Sequence, residues 1–403
     1  MNKSGIKKYI FLLMIAHLCV DMNQGALPAA LPFLIAIKGL NYTAATGLVF
    51  ASNISSSLVQ PLFGYLGDKS ARYWFISLGI ILGGSGFAMI GLFDNYWAIF
   101  FAAIVSGVGI AIFHPEGGRL SNQVSEKNKS GNMSIFATGG TLAFAAGPLL
   151  LSFSMTNFGI RGTAVFLIPG FVMVAIYMAV IKNLRKAVGE NIANEGRSGG
   201  VRSEGVPEAS APQVYRPAGK DDRPAFIKLS VFVFFRSAIL FGMTTFIPLY
   251  WVDMLKQTQA AGSIALAIYS IATAFATLIG GFLADRLGYN KIINISTITF
   301  IPLLALFTFI PDLRLSTVLL VLLGFSLQFC FSTVITTGQS FLPNHIGFAS
   351  GVTMGMGSSV GAVTAPLLGR IGDIYGLTTT FYVLIAIACI TAVTGFFVPK
   401  QKH

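Results

Sequence analysis

Apolar runs of about twenty residues or more constrain this sequence more than any other feature. Twelve segments qualify, at roughly 9–37, 44–66, 74–93, 96–120, 130–154, 162–182, 226–252, 261–283, 291–310, 315–341, 347–369 and 378–398. About 20 apolar residues span a hydrocarbon layer ~30 Å thick. Inside that layer every backbone N–H and C=O must find a partner within the protein. The chain therefore reads as an all-α integral membrane protein with 12 transmembrane helices. Composition agrees, with only 10% charged residues and a mean hydropathy of +0.74, against about 25% charged in soluble domains. The first run follows Lys7 and Lys8 as a signal peptide would, but it continues through Ile37 and reads as the first span.

One segment has a different character. Residues 183–223, including NEGRSGGVRSEGVPEASAP, are rich in Gly, Pro, Ser, Glu and Arg, a composition that cannot bury a core. It reads as a flexible cytoplasmic linker between an N-terminal six-helix bundle (1–182) and a C-terminal one (224–403). Lys and Arg then set the orientation. With both termini in the cytoplasm, 21 of the 27 lie on the cytoplasmic side, and five (Lys38, Arg161, Lys256, Arg314, Arg370) lie outside. The last, Arg236, falls inside the seventh span. The net charge of +12 thus reads as orientation and not as a nucleic-acid surface. Cys19, Cys330 and Cys389 lie in apolar runs without metal-ligand spacing, so neither a disulfide framework nor a metal or cofactor site is expected.

The halves repeat. GYLGDKSAR (64–72) follows the second span and GFLADRLGY (281–289) the eighth. AGPLL (146–150) in span five matches TAPLL (364–368) in span eleven, and LPF (31–33) matches IPL (247–249). Two pseudo-symmetric bundles of six helices suggest a transporter with a site at their interface.

At these residues the chain resembles the major facilitator superfamily, whose signature between spans two and three is roughly Gly-x-Leu-Ala-Asp-Arg-x-Gly-Arg. Gly64, Leu66, Asp68 and Arg72 fit the first copy, with Lys69 and Ala71 as departures. Gly281, Leu283, Ala284, Asp285, Arg286 and Gly288 fit the second. A carboxylate and an arginine at packed helix ends can latch one state of a two-state rocker. Ordinary helix-end charges are the alternative. A third look-alike, GRIGDIYG (369–376), falls on the outer side and reads as a coincidence of Gly-rich helix ends. HLCVDMNQGALPAALPFL, IFHPEGGRLS, FRSAILFGMTTFIPLYW and QSFLPNHIGFASGVT together look like the fosmidomycin-resistance family of proton-driven exporters. Ala103 stands where drug–proton antiporters of the superfamily often carry a mid-span arginine, and GGTLAFAAGP (139–148) matches their glycine-rich motif only in part. Both departures leave the charge chemistry to other residues.

Ionisable groups inside spans are functional candidates. His17, Asp21 and Gln24, at i, i+4 and i+7, share one face of span one. Asp21 is ~20 Å beyond Lys8 along the helix and is the first choice for a proton carrier. His17 either shares that proton or packs as a hydrogen-bonded histidine. Arg236 in FFRSAIL is near the symmetry mate of Asp21. Its planar fork suits a phosphonate or carboxylate, and pairing with Asp21 or Glu116 is the other reading. Asn23, Gln328 and Gln339 are polar candidates for the cavity, and Tyr250 and Trp251 fit its mouth or an interfacial belt. His114, Glu116 and Arg119 of IFHPEGGRLS count to the inner edge of the bilayer, ~30 Å below Asp94 for His114. They read either as a kinked inner gate, with Glu116 alternately paired to Arg119 and protonated, or as a plain helix end with a self-neutralising pair.

The resemblance implies a monomeric bacterial inner-membrane antiporter that exports a small anionic drug such as fosmidomycin against protons. Asp21, Glu116 and His17 would handle protons. Arg236, Arg119, His114, Gln24, Asn23, Gln328 and Gln339 would meet substrate. Proton symport of an organic anion or sugar phosphate fits the same architecture, and a non-transporting receptor is the rival of another class. No nucleophile–base set suggests an enzyme.

Overall fold

A computed structural model describes residues 3–69, 73–124, 129–198, 220–345, 348–349, 352–353 and 356–399. The N-terminal half holds α1 (Lys3–Lys38), α2 (Tyr42–Lys69), α3 (Trp74–Leu92), α4 (Tyr96–Val124), α5 (Lys129–Phe158) and α6 (Leu167–Ser198). The C-terminal half holds α7 (Arg223–Asp253), α8 (Gln259–Leu287), α9 (Tyr289–Phe309), α10 (Leu313–Gln328), α11 (Phe331–Phe341), α12 (Met356–Tyr375) and α13 (Leu377–Phe396). No strand occurs among the described residues. Nine helical stretches among them are long and apolar enough to cross a membrane, and one of these, Ile135–Lys186, runs through two helices. With α2, α12 and the α10–α11 pair counted as single passes, this is the twelve-helix arrangement.

Short polar residues set the helix ends. Asn95 accepts from the backbone N–H groups of Trp97 (2.9 Å) and Ala98 (3.2 Å) at the start of α4. Asp222 and Asp312 cap α7 and α10 in the same way, each satisfying donors that a helix leaves open. Small residues let the helices close on one another. A Cβ on Gly86 would lie 2.3 Å from the backbone nitrogen of Ser106, so α3 and α4 can pack this tightly only with glycine there.

Two differences from the sequence reading stand out. Helix α6 continues to Ser198, well into the segment read as linker, where Leu184, Arg185, Lys186, Ala187, Glu190, Ala193 and Glu195 are good helix formers and no proline intervenes. Residues 199–219 lie outside the described residues. The tenth pass is also broken. It stops at Gln328 and restarts at Phe331.

The cores show how the halves meet. Toward the face that carries Lys38, a single buried cluster draws on both halves, with Met22, Leu27 and Val49 beside Met243, Phe246 and Leu368. Toward the face nearer Lys8 each half has its own, around Ile10, Ile76 and Phe113 in one and Phe226, Leu229 and Ile292 in the other. Among the described residues, buried apolar clusters thus join the halves at the Lys38 face but not toward the Lys8 face. Tyr250 and Trp251 belong to the shared core, buried and not interfacial. Tyr250 donates to the Phe307 carbonyl (2.5 Å) and stacks on that ring.

Hydrogen bonds fasten the join. Asp373, at the end of α12, accepts from the backbone N–H groups of Tyr42 (2.7 Å) and Thr43 (2.9 Å) and from the Thr43 hydroxyl (2.5 Å). A carboxylate there also faces the positive end of α2. Tyr42 Oη donates to Asp253 (2.5 Å), and Ser263 Oγ to the Ala29 carbonyl (3.3 Å). GRIGDIYG therefore makes a structural contact between the halves.

Removing this clasp should loosen the Lys38 face. A hydrogen bond to a charged group contributes about 1.5–3 kcal/mol, so Asp373→Ala is expected to shift the joined–parted balance by roughly tenfold or more. Spin labels on α2 and α12 at that face should report longer, broader distances. An unchanged distribution would show that the clasp does not hold the join.

Candidate functional site

The charges of α1 meet those of α4 beside α5. His17 Nε2 lies 3.1 Å from Asp21 Oδ2 on the shared face of α1. From α4, His114 Nε2 lies 3.1 Å from Asp21 Oδ1 and 3.2 Å from His17 Nε2. His17 Nδ1 donates to the Phe136 carbonyl (2.9 Å) on α5, and its ring stacks on Phe136 at 4.4 Å between centroids. Asp21 and His17 are buried, while His114 is partly exposed. His114 is therefore part of the Asp21 cluster and does not stand apart with the inner gate. Depth counted along each helix from opposite faces had separated them.

Glycines of α5 make the cluster possible. A Cβ at Gly139 would lie 2.1 Å from the Met14 carbonyl oxygen of α1, and one at Gly140 would lie 2.6 Å from His17 Nε2. Either side chain would push α5 off α1 or His17 out of place.

Two residues beyond His114 on α4, about 3 Å toward the Lys8 end, Glu116 is fully buried and takes both arms of Arg119, with Nε donating at 2.9 Å and Nη2 closing a second contact. Arg119 Nη1 donates to Gln123 (2.8 Å), and its guanidinium lies over the Tyr73 ring. In this posture the pair is self-neutralising.

Arg236 is buried in α7 with no carboxylate in hydrogen-bond or ion-pair contact among the described residues. Neither Asp21 nor Glu116 is its partner. Its Nη2 donates to the Leu327 carbonyl (3.1 Å) and to Gln328 Oε1, and its charge lies over the Phe331 ring. These groups flank the break between α10 and α11, so Arg236 repairs a backbone interruption that lipid would not tolerate. Its Nε and the buried hydroxyl of Tyr269, which lies in range of the Arg236 charge, have no hydrogen-bond partner among the described residues.

Between the halves lies a small cavity with an uncharged lining. Gln24, Asn53 and Phe144 face it from one half, and Phe241, Thr245 and Ser270 from the other. Gln24 Nε2 donates to Asn53 Oδ1 (2.5 Å), and the buried Thr245 hydroxyl has no partner among the described residues. Gln24 is one helical turn from Asp21, about 4.5 Å along α1, so the cavity adjoins the triad.

Of the sequence-selected residues, only Gln24 lines this cavity. Asn23 donates back to the carbonyls of Cys19 and Val20. Gln328 holds Arg236, and Gln339 is half-buried near the far end of α11. Of the two signature copies, Gly64 and Gly281 lie on α2 and α8, and Arg286 is exposed. The side chains of Asp68 and Asp285, and Arg72 entirely, lie outside the described residues. Asn53, Thr245, Ser270 and Gly140 escaped the sequence reading. The polar run NISSS (53–57) and the GG pair at 139–140 were the available signals.

The packing around the cluster predicts an order of stabilities. Gly139→Ala meets fixed backbone and should cost about 1–3 kcal/mol. Gly140→Ala meets a side chain that can move and should cost less. Gly118→Ala, with nothing within 4 Å of the new Cβ, should be neutral or stabilising by up to about 1 kcal/mol. Thermal unfolding in detergent should rank them so.

The Major Facilitator Superfamily model matches residues 13–366. The chain is 25% identical over 390 residues to the fosmidomycin resistance protein of Escherichia coli (strain K12), covering 96% of this chain and 92% of that one. It is also 25% identical over 375 residues to the multidrug resistance protein MdtG of Dickeya zeae, covering 89% and 85%. In fold it is similar to a bacterial homologue of the human lysosomal transporter Spinster, solved inward-facing and occupied. The TM-score is 0.79 at 13% identity, over 97% of this chain and 96% of that one. With twelve helical passes, paired halves, a cavity between them and relatives named for drug resistance, this chain is a multi-pass membrane transporter and belongs to the Major Facilitator Superfamily.

Proposed function

We propose that this transporter is a proton-coupled antiporter of the bacterial inner membrane that exports a small anionic drug such as fosmidomycin. The observation that carries the reading is the buried Asp21, set against two imidazoles one turn from a cavity between the halves. The relative named for fosmidomycin resistance supports the cargo. The distribution of Lys and Arg supports a cytoplasmic Lys8 face and cytoplasmic termini. The halves would then part toward the cytoplasm, the posture in which an exporter loads.

In this reading Asp21 carries the coupling proton, shared with His17, and His114 connects the cluster to the cytoplasmic opening. Arg236 supplies the positive charge for an oxyanion once rocking of the halves opens the α10–α11 break, with Gln328 released from Nη2 to share the cargo. Glu116 and Arg119 form an inner gate. Protonation of Glu116 frees Arg119, and Gln339, Asn23 and Gln24 line the route. The two signature copies, at Gly64, Asp68 and Arg72 and at Gly281, Asp285 and Arg286, latch the opposite posture, when the cytoplasmic ends close. Proton and drug exclude each other because each favours a different charge state of the same interior.

A second reading has one specific support. The cavity lining is uncharged and Arg236 is sealed from it here, which favours a neutral amphipathic cargo.

Inverted proteoliposomes with an acid lumen test both. Fosmidomycin should accumulate against its gradient in the native protein, fall to the protein-free level in Asp21→Asn, and be lost with Arg236→Gln. Full accumulation by Asp21→Asn would rule out its role as carrier. Accumulation of neutral drugs with none of fosmidomycin would favour the second reading.

A further inference from the structure

We propose that His17, Asp21 and His114 form a binding site for a first-row divalent transition ion of the Zn²⁺ and Co²⁺ class. The inference stands on geometry and does not depend on the identity of the coupling ion. The donor atoms lie within 4.8 Å of one another. With Asp21 Oδ2 as the carboxylate ligand, the separations are 3.1 Å to His17 Nε2, 3.4 Å to His114 Nε2 and 3.2 Å between the two imidazoles. An ion holding N and O ligands tetrahedrally at about 2.0–2.2 Å keeps them about 3.3–3.6 Å apart, so small shifts would seat it.

The lone pairs point the right way. The Phe136 carbonyl can only accept, so His17 carries its proton on Nδ1 and leaves Nε2 bare in the neutral ring. A backbone carbonyl holding the far nitrogen is the usual support of a metal-bound histidine. Asp21 Oδ1 is buried 3.1 Å from His114 Nε2 and has no hydrogen-bond partner among the described residues, while Oδ2 takes the His114 contact at 3.4 Å. This leaves one carboxylate oxygen with a lone pair for a cation.

Gly140 closes the cluster on the α5 side. A Cβ there would stand 2.6 Å from His17 Nε2 and 3.0 Å from Asp21 Oδ2, so any side chain would displace a donor. The side chain of His114 is 23% exposed, which gives an ion its entry. Two imidazoles and one carboxylate favour zinc-like ions over Mg²⁺ or Ca²⁺, which take oxygen sets.

Metal-stripped, tag-free protein in nanodiscs, titrated with Co²⁺, tests the site. One ion per chain is expected, with the intense visible absorption of four- or five-coordinate Co²⁺, displaced by Zn²⁺. His114→Gln and Asp21→Asn should each weaken binding by about a hundredfold or more, and Gly140→Ala, which keeps every donor, by about tenfold or more. His345→Gln, an exposed histidine elsewhere, should change nothing. Should Asp21→Asn fail to fold, His114→Gln and Gly140→Ala carry the test. A pale six-coordinate spectrum, no saturable binding, or binding that survives His114→Gln would overturn the proposal. The two proposals fail separately. Coupled flux without Co²⁺ binding overturns the metal site alone, and Co²⁺ binding without coupled flux overturns the antiport reading alone.

Discussion

A carboxylate cannot stand alone in hydrocarbon, and much of the N-terminal half is arranged around that fact. Taking Asp21 out of water costs several kcal/mol unless cations or donors surround it. Its answer is His17 one turn away and His114 from a second helix. For α4 and α5 to come that near, α5 presents glycines where it crosses α1. The C-terminal half meets the converse problem. Arg236 brings a charge without a carboxylate, and the exposed carbonyl end of α10 accepts it. A helix C-terminus carries partial negative charge, so one liability offsets the other.

Spans, the two halves and the shared face of His17 and Asp21 were legible because each depends on local sequence and on a fixed helical pitch. Relations between helices were not. Tilt and vertical offset separate two rulers started at Lys8 and Asp94, which is why His114 was placed too near the inner edge. The end of the sixth helix was misplaced because a polar composition was read as disorder where propensity still favoured a helix. The break in the tenth pass has no Pro or Gly at Phe329 or Cys330 to announce it. It is stabilised by Arg236 from 91 residues away. Tyr250 and Trp251 look interfacial in any sequence that hides which face meets the other half.

The division of the apolar core says which motions are cheap. Residues such as Phe113 and Ile292 keep their neighbours within one half, so rocking leaves them packed. Met22, Val49, Met243 and Leu368 are shared, and parting the Lys38 face exposes them. At ~25 cal/mol per Å² of apolar surface, that exposure must be met by new contacts at the opposite face or by cargo. Two-state rocking thus needs two competing seams of similar strength.

Asp373 grips α2 largely through the backbone N–H groups of residues 42 and 43. Nearly every amino acid supplies such a donor, and only proline lacks it. Over evolutionary time the partner positions can drift while the carboxylate is retained. A clasp of this kind would leave a conserved acid without a covarying mate, and methods that infer contacts from correlated substitutions would pass over it.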